Sequence, residues 1–115
     1  MKFIESRFKV TNIEYFQTMT WVKDLVYYEG PLLSHMMNGE QSYLYKWVDN
    51  DSQYNRWLVI PVNLQDVDRV MRETLDFNTL LNVSSKIYII DIDDNLKVKR
   101  VFDLPLEQIN NCYIH

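Results

Sequence analysis

Residues 43–62 read Tyr43-Leu44-Tyr45-Lys46-Trp47-Val48-Asp49-Asn50-Asp51-Ser52-Gln53-Tyr54-Asn55-Arg56-Trp57-Leu58-Val59-Ile60-Pro61-Val62. Two β-prone runs flank a polar loop, and this pattern decides the fold class. In a strand, successive side chains point to opposite faces. Tyr43, Tyr45 and Trp47 therefore share one face of the first strand, and Leu44, Lys46 and Val48 the other. Asp49, Asn50, Asp51 and Ser52 favour a turn, because such side chains bond their own backbone. The second strand, Arg56 to Val62, sets Trp57 and Val59 opposite Leu58 and Ile60. It is apolar on both faces, which places it centrally in a sheet with helix covering at least one side.

Upstream, Asn38-Gly39 between β-type residues is a hairpin signal. Leu25 to His35 reads as extended, and Pro31 makes it an edge strand or one bulged at Gly30-Pro31. Ile13, Phe16, Met19, Val22, Leu25 and Val26 recur at helical spacing. This predicts a helix that changes to strand near Leu25, although Thr18, Thr20, Trp21 and Val22 are β-prone. Phe3, Phe8 and Val10 fit either a strand or a loose arm. Downstream, Asn63 is a good helix N-cap with Asp66 in the first turn. Leu64, Val67, Val70 and Met71 form the expected apolar stripe of that helix. Thr74 or Asp76 caps a second short turn holding Phe77, Leu80 and Leu81. Lys86 to Ile92 is a strand, Asp93-Asp94-Asn95 a turn, and Leu96 to Phe102 the returning strand. Residues 104–115 read as a short helix or a packed arm. Hairpins dominate and no β-α-β alternation appears. The expectation is an α+β domain over residues 1–115: a mainly antiparallel sheet of about five strands, covered on one side by one to three helices. An N-terminal arm (about 1–23) and a C-terminal tail (about 104–115) flank it.

Composition excludes several functions. The 115 residues are 47% hydrophobic and 24% charged, the balance of a folded domain rather than a disordered chain. Only two glycines occur, Gly30 and Gly39, so neither a G-x-G-x-x-G nor a Walker A phosphate loop can be built. The net charge of −4 disfavours binding to a phosphate backbone, and no nucleic-acid partner is expected. No apolar run is long enough to span a bilayer, and Met1 to Glu5 lack the apolar stretch of a signal peptide. With Cys112 the sole cysteine, these features lead us to expect a cytoplasmic protein without disulfides or a membrane partner.

Four strings together resemble a known pattern: Tyr27-Tyr28-Glu29-Gly30-Pro31-Leu32-Leu33-Ser34, Tyr43-Leu44-Tyr45-Lys46-Trp47-Val48-Asp49, Asn55-Arg56-Trp57-Leu58-Val59-Ile60-Pro61-Val62 and Tyr88-Ile89-Ile90-Asp91-Ile92-Asp93. The pattern is that of a family of small, uncharacterised bacterial proteins, and it covers roughly residues 24–101. The resemblance implies a bacterial or phage-borne origin. It carries no assigned activity and so supplies no catalytic residues.

Metal and nucleophile chemistry find little support. His35, His115 and Cys112 cannot form a paired four-ligand zinc site, so no metal or cofactor is expected. Asp91, Asp93, Asp94 and Asn95 imitate a calcium loop, but Phe102 stands where the bidentate glutamate belongs. They read instead as a strand end entering a turn. Cys112 and His115 lack a neighbouring oxyanion hole, and Ser34 and His35 are adjacent strand residues facing opposite ways. Paired carboxylates remain: Asp49 with Asp51, Asp91 with Asp93, and Glu29 beside Gly30-Pro31. A hydrolase using Glu29 with Asp49 or Asp91 is the weakest of three functional readings. Glu29 has a plainer role as an ion partner of Arg56.

The aromatic content points to binding. Three tryptophans, eight tyrosines and five phenylalanines are more than a core of this size readily absorbs, although a half-buried sheet offers them room. Arg and Trp are enriched at interaction hot spots. Trp47, Arg56 and Trp57, with Tyr45 and Glu29, form the candidate surface for a protein partner. In the competing reading both tryptophans pack under the helix of residues 64–72, and Arg56 stacks on Tyr54 or pairs with an acid. Lys97 and Lys99 share a strand face and could hold an anion, or pair across the hairpin with Asp91, Asp93 and Asp94. The leading expectation is a non-enzymatic protein-interaction module: an inhibitor, immunity or anti-defence protein, a small subunit of a complex, or an edge-strand homodimer. The alternative is a sensor for a small anion or nucleotide. Its pocket would lie between sheet and helix, lined by Tyr43, Tyr45, Trp47 and Trp57, with Lys97, Lys99 or Arg56 on the ligand's charge.

Overall fold

The alternation of residues 43–62 becomes a central hairpin. Strands β3 (Gln41–Asn50) and β4 (Tyr54–Val62) pair antiparallel with Tyr45 opposite Val59 and Trp47 opposite Trp57. The computed structural model describes residues 13–27, 31–50 and 53–103. Outward from the hairpin lie α1 (Ile13–Gln17), β1 (Thr20–Tyr27) and β2 (Pro31–Asn38) on one side, and α2 (Leu64–Met71), α3 (Phe77–Val83), β5 (Tyr88–Asp93) and β6 (Val98–Asp103) on the other. The six strands stand in sequence order, β1-β2-β3-β4-β5-β6, and every neighbouring pair is antiparallel. The fold is thus α+β, with one strand more than expected.

The extra strand comes from residues 20–38. Residues 18–26 do not continue the helix begun at Ile13: helix stops at Gln17 and strand begins at Thr20. Thr20, Trp21 and Val22 lose side-chain freedom in a helix and fit a pleated surface better. The helical spacing of Met19, Val22 and Leu25 was coincidental. The segment Leu25 to His35 is likewise two strands rather than one bulged edge strand. Pro31 occupies the first position of β2, where strands tolerate proline. Among the described residues the edge strands are β1 and β6, and the pairing of β1 with β2 slips register at three places. Such bulges blunt an edge against unwanted strand addition. The Asn38-Gly39 turn forms as expected, with Asn38 opposite Gln41. Gly39 supplies the positive φ of 61° that the first loop position of a II′ hairpin requires.

Each sheet face has its own core. On one face Leu44, Leu58, Ile60 and Ile89 pack against Val67, Phe77, Leu80 and Leu81 of α2 and α3. Asn63 and Asp76 cap these helices, accepting from the backbone N–H groups of Asp66 and Thr79 at 2.8 Å. The Thr79 bond also lowers the Asp76 pKa by favouring its charged form. The apolar stripe of α2 is narrower than its sequence suggests. Val67 is buried, but Leu64 and Met71 are exposed. On the opposite face Tyr43, Tyr45, Val59 and Ile90 pack with Phe16 of α1. Alpha-helix α1 is only five residues long, so among the described residues it roofs part of that face and leaves the rest uncovered.

Candidate functional site

The open part of the α1 face is a cleft of about 780 Å³, within the range of small-molecule sites. Its floor is Tyr45, Trp47 and Trp57, with Ser34 and Met36 from β2 beside them. Phe16 and Met19 close one end, Trp21 and Asp24 of β1 form one wall, and Asp93, Leu96 and Val98 the other.

Hydrogen bonds fix the aromatic walls. The Trp21 indole N–H donates to Asp24 Oδ1 at 2.9 Å, and the Ser34 hydroxyl donates to the same oxygen at 2.6 Å. The Trp47 indole N–H donates to Asn55 Oδ1 at 3.1 Å. With their N–H groups engaged in the walls, Trp21 and Trp47 are restricted in how their rings can turn. The Trp57 ring lies 6.3 Å from Tyr45, tilted by 59°, a favourable aromatic separation. Tyr45 is only 3% exposed, and burial raises its hydroxyl pKa far above the ordinary value, so the group stays protonated. Among the described residues, that hydroxyl has no hydrogen-bond partner.

Alpha-helix α1 is held over the cleft end by a separate aromatic group. The Tyr15 and Tyr43 hydroxyls meet at 2.6 Å, and Phe16 lies 4.9 Å from the Tyr88 ring. Burial is the first cause raising the Tyr43 and Tyr88 pKa values; the Tyr15 hydrogen bond adds to the Tyr43 shift. The Gln17 amide grips the opposite wall, donating to the Leu96 carbonyl at 3.2 Å and accepting from the Val98 N–H at 2.7 Å. Leu96 sits in the turn before β6 with φ 64° and is 78% exposed. A leucine pays steric strain in this region that glycine or asparagine would avoid.

Three of the expected binding residues therefore meet in the cleft: Tyr45, Trp47 and Trp57. The tryptophans do not pack under residues 64–72: Trp57 packs with Tyr45 and Val59 in the core opposite α2 and α3, and Trp47 pairs with Trp57. Arg56 is not a surface hot spot. It is 8% exposed and forms a two-pronged ion pair with fully buried Asp91, Nε to Oδ1 at 2.7 Å and Nη2 to Oδ2 at 2.9 Å. Arg100 Nε stands 3.0 Å from Asp91 Oδ2, the oxygen that Arg56 Nη2 also reaches. The Tyr54 ring lies under both guanidiniums, at 5.6 and 4.6 Å. Stacking on Tyr54 or pairing with an acid was the plainer expectation for Arg56, and both contacts are present. Asp91 lies between two arginines on the helix-covered face, away from the cleft. Glu29, Cys112 and His115 lie outside the described residues.

The expected anion site does not assemble in the cleft, since Arg56, Lys97 and Lys99 do not line it. Lys97 precedes β6 and gives its backbone N–H to Asp93 Oδ1 at 2.9 Å. Lys99 Nζ stands 3.9 Å from Asp93 Oδ2. Asp93 also accepts from the Asn95 N–H at 2.9 Å, so the calcium-like string is a strand end entering a turn. Among the described residues no three His, Cys, Asp or Glu side chains converge as metal ligands. Among the described residues, the charged groups lining the cleft are Asp24 and Asp93, both acids. Trp21, Asp24, Ser34, Met36 and Leu96 were not foreseen as site residues. The β-prone run around Trp21 was the available signal, masked by the helical spacing of its neighbours.

Fold and site define an α+β protein whose described residues form a six-stranded antiparallel meander with two helices on one face and an aromatic cleft on the other. Against protein-family models, curated proteins and solved structures, the chain gives no match. Among the described residues no helix is long and apolar enough to cross a membrane.

Proposed function

We propose that this chain is a non-enzymatic binding module whose working surface is the aromatic cleft, and that the cleft takes a small, largely apolar ligand. The observation that carries this reading is concavity. Tyr45, Trp47 and Trp57 line a recess with few, placed polar groups, the usual character of a ligand site. Fixed indole rings lower the ordering cost of binding. Strain at Leu96 fits the same reading, since strained backbone concentrates at functional sites. The test is titration with 1-aminoanthracene, a neutral aromatic fluorophore. Saturable one-to-one binding is expected, weakened about tenfold or more by Trp47→Ala/Trp57→Ala. Binding that never saturates, or that ignores the double substitution, would remove the cleft from consideration.

A second reading keeps a protein as the partner. Exposed Trp21, Val22 and Val26 on edge strand β1 favour it. The chain would then be an inhibitor, immunity or anti-defence protein, a subunit of a complex, or a homodimer. A bacterial or phage-borne, cytoplasmic setting, as the resemblance of residues 24–101 implies, belongs to this proposal. Sedimentation of wild type beside Val22→Lys/Val26→Lys tests the homodimer. A concentration-dependent dimer lost in the variant supports it, and a monomer throughout rejects it.

A further inference from the structure

We infer that the cleft's ligand is an organic cation: a protonated amine or quaternary ammonium carried on an apolar body. The inference rests on the binding reading of the same cleft and adds the ligand's charge. Three features carry it.

First, Trp21, Tyr45, Trp47 and Trp57 all line the cleft. The indole N–H groups of Trp21 and Trp47 are engaged by Asp24 and Asn55. Engaged this way, those two rings have only their electron-rich faces and C–H edges left to offer. A cation over such a face is attracted by the ring quadrupole, most strongly by tryptophan.

Second, among the described residues the lining contains two carboxylates and no basic side chain. Asp93 is engaged by two backbone N–H groups and stands near Lys99. Asp24 uses Oδ1 for Trp21 and Ser34, and its Oδ2 has no partner among the described residues. It sits on a wall of aromatic and apolar groups, where an ionic attraction is screened less than on open surface. An anionic ligand would meet repulsion from both acids.

Third, the Tyr45 hydroxyl is unpartnered among the described residues and held protonated by burial. Its oxygen can accept one N–H bond from an ammonium group, and its O–H can donate to a polar atom elsewhere on the ligand.

The test uses three probes with one ring and different charge: phenethylamine, 2-phenylethanol and phenylacetate. Each displaces bound 1-aminoanthracene from the full chain. Phenethylamine is expected to bind about tenfold tighter than 2-phenylethanol, with phenylacetate weakest. Asp24→Asn keeps an oxygen that can accept from Trp21 and Ser34. It should therefore hold the melting temperature, while the preference for phenethylamine over 2-phenylethanol shrinks severalfold. Added salt should shrink that preference in wild type as well. Equal affinity for all three probes, a preference for phenylacetate, or a preference untouched in a folded Asp24→Asn overturns the cation inference and leaves the cleft as a binding site. Displacement by none of them, with 1-aminoanthracene still bound, also overturns it. Failure of 1-aminoanthracene to bind removes the binding reading and this inference together.

Discussion

Asp91 shows how one residue can be misjudged from its neighbours in sequence. Its string, Asp91-Ile92-Asp93-Asp94, suggests an exposed acidic turn, yet Asp91 is fully buried between Arg56 and Arg100. The row Asp49, Arg56, Asp91, Arg100 runs across four strands at matched register. Such a row depends on which residues face one another after folding, and no local spacing reveals it. Removing one member of a buried ion pair strands the other charges. Asp91→Asn is therefore expected to destabilise the fold by about 3–5 kcal/mol, read by urea denaturation. A loss below about 1 kcal/mol, the range of an exposed pair, would show that the arginines do not depend on it. His35 is a second residue whose role was hidden. It is buried, bonds Ser42 Oγ at 3.0 Å, and burial lowers its pKa below the ordinary 6.5. In the unfolded chain His35 takes a proton as pH falls below about 6.5, while the folded chain resists until a lower pH. Its contribution is present above that value and is lost as pH drops through the folded pKa. The difference in urea midpoint between about pH 7.5 and about pH 5.5 should be larger in wild type than in His35→Gln. Equal differences would mean that His35 does not couple to stability.

At the scale of elements, hairpins were legible and the start of β1 was not. Gly39, Asn63 and Asp76 act through their own backbone neighbours, so local chemistry was enough to place them. The boundary near Thr18 is different. Helical spacing and β propensity compete there, and the winner is set by pairing with β2, which lies ten or more residues away. The turn between β5 and β6 is where local preference yields to something else. Leu96 occupies a left-handed conformation while mostly exposed, so packing returns little for its strain. Leu96→Asn should relieve that strain, because asparagine tolerates this region. It is expected to leave stability unchanged or raise it by up to about 1 kcal/mol, while weakening 1-aminoanthracene binding by removing an apolar wall. Thermal melts and the same titration read both effects. A clear loss of stability would show that Leu96 serves the fold rather than the cleft.

For the whole molecule, the consequence is a division between the two sheet faces. The face under α2 and α3 is closed by Leu58, Leu81 and Ile89, each at most 2% exposed. Among the described residues, the other face is closed only beneath α1, and its remaining aromatics line the cleft. Sequence alternation showed that Tyr45, Trp47 and Trp57 share faces as they do. It could not show which face the helices cover, because both faces of β4 are apolar and the choice is made by the path from β4 to β5. The division makes opposite demands on equal-looking substitutions. Leu58→Ala opens a cavity in a sealed core and should cost about 2–5 kcal/mol, with 1-aminoanthracene still bound wherever the protein is folded. Trp47→Leu removes a ring that faces space on one side, so few packing contacts are lost and a cost near 1 kcal/mol is expected, together with a severalfold loss of binding. Urea denaturation and dye titration on the two variants test this crosswise. If Trp47→Leu cost as much stability as Leu58→Ala, the aromatic floor would be core rather than binding surface. If Leu58→Ala weakened binding as much as Trp47→Leu did, the two faces would act as one unit, and the cleft would owe its shape to the packing beneath it.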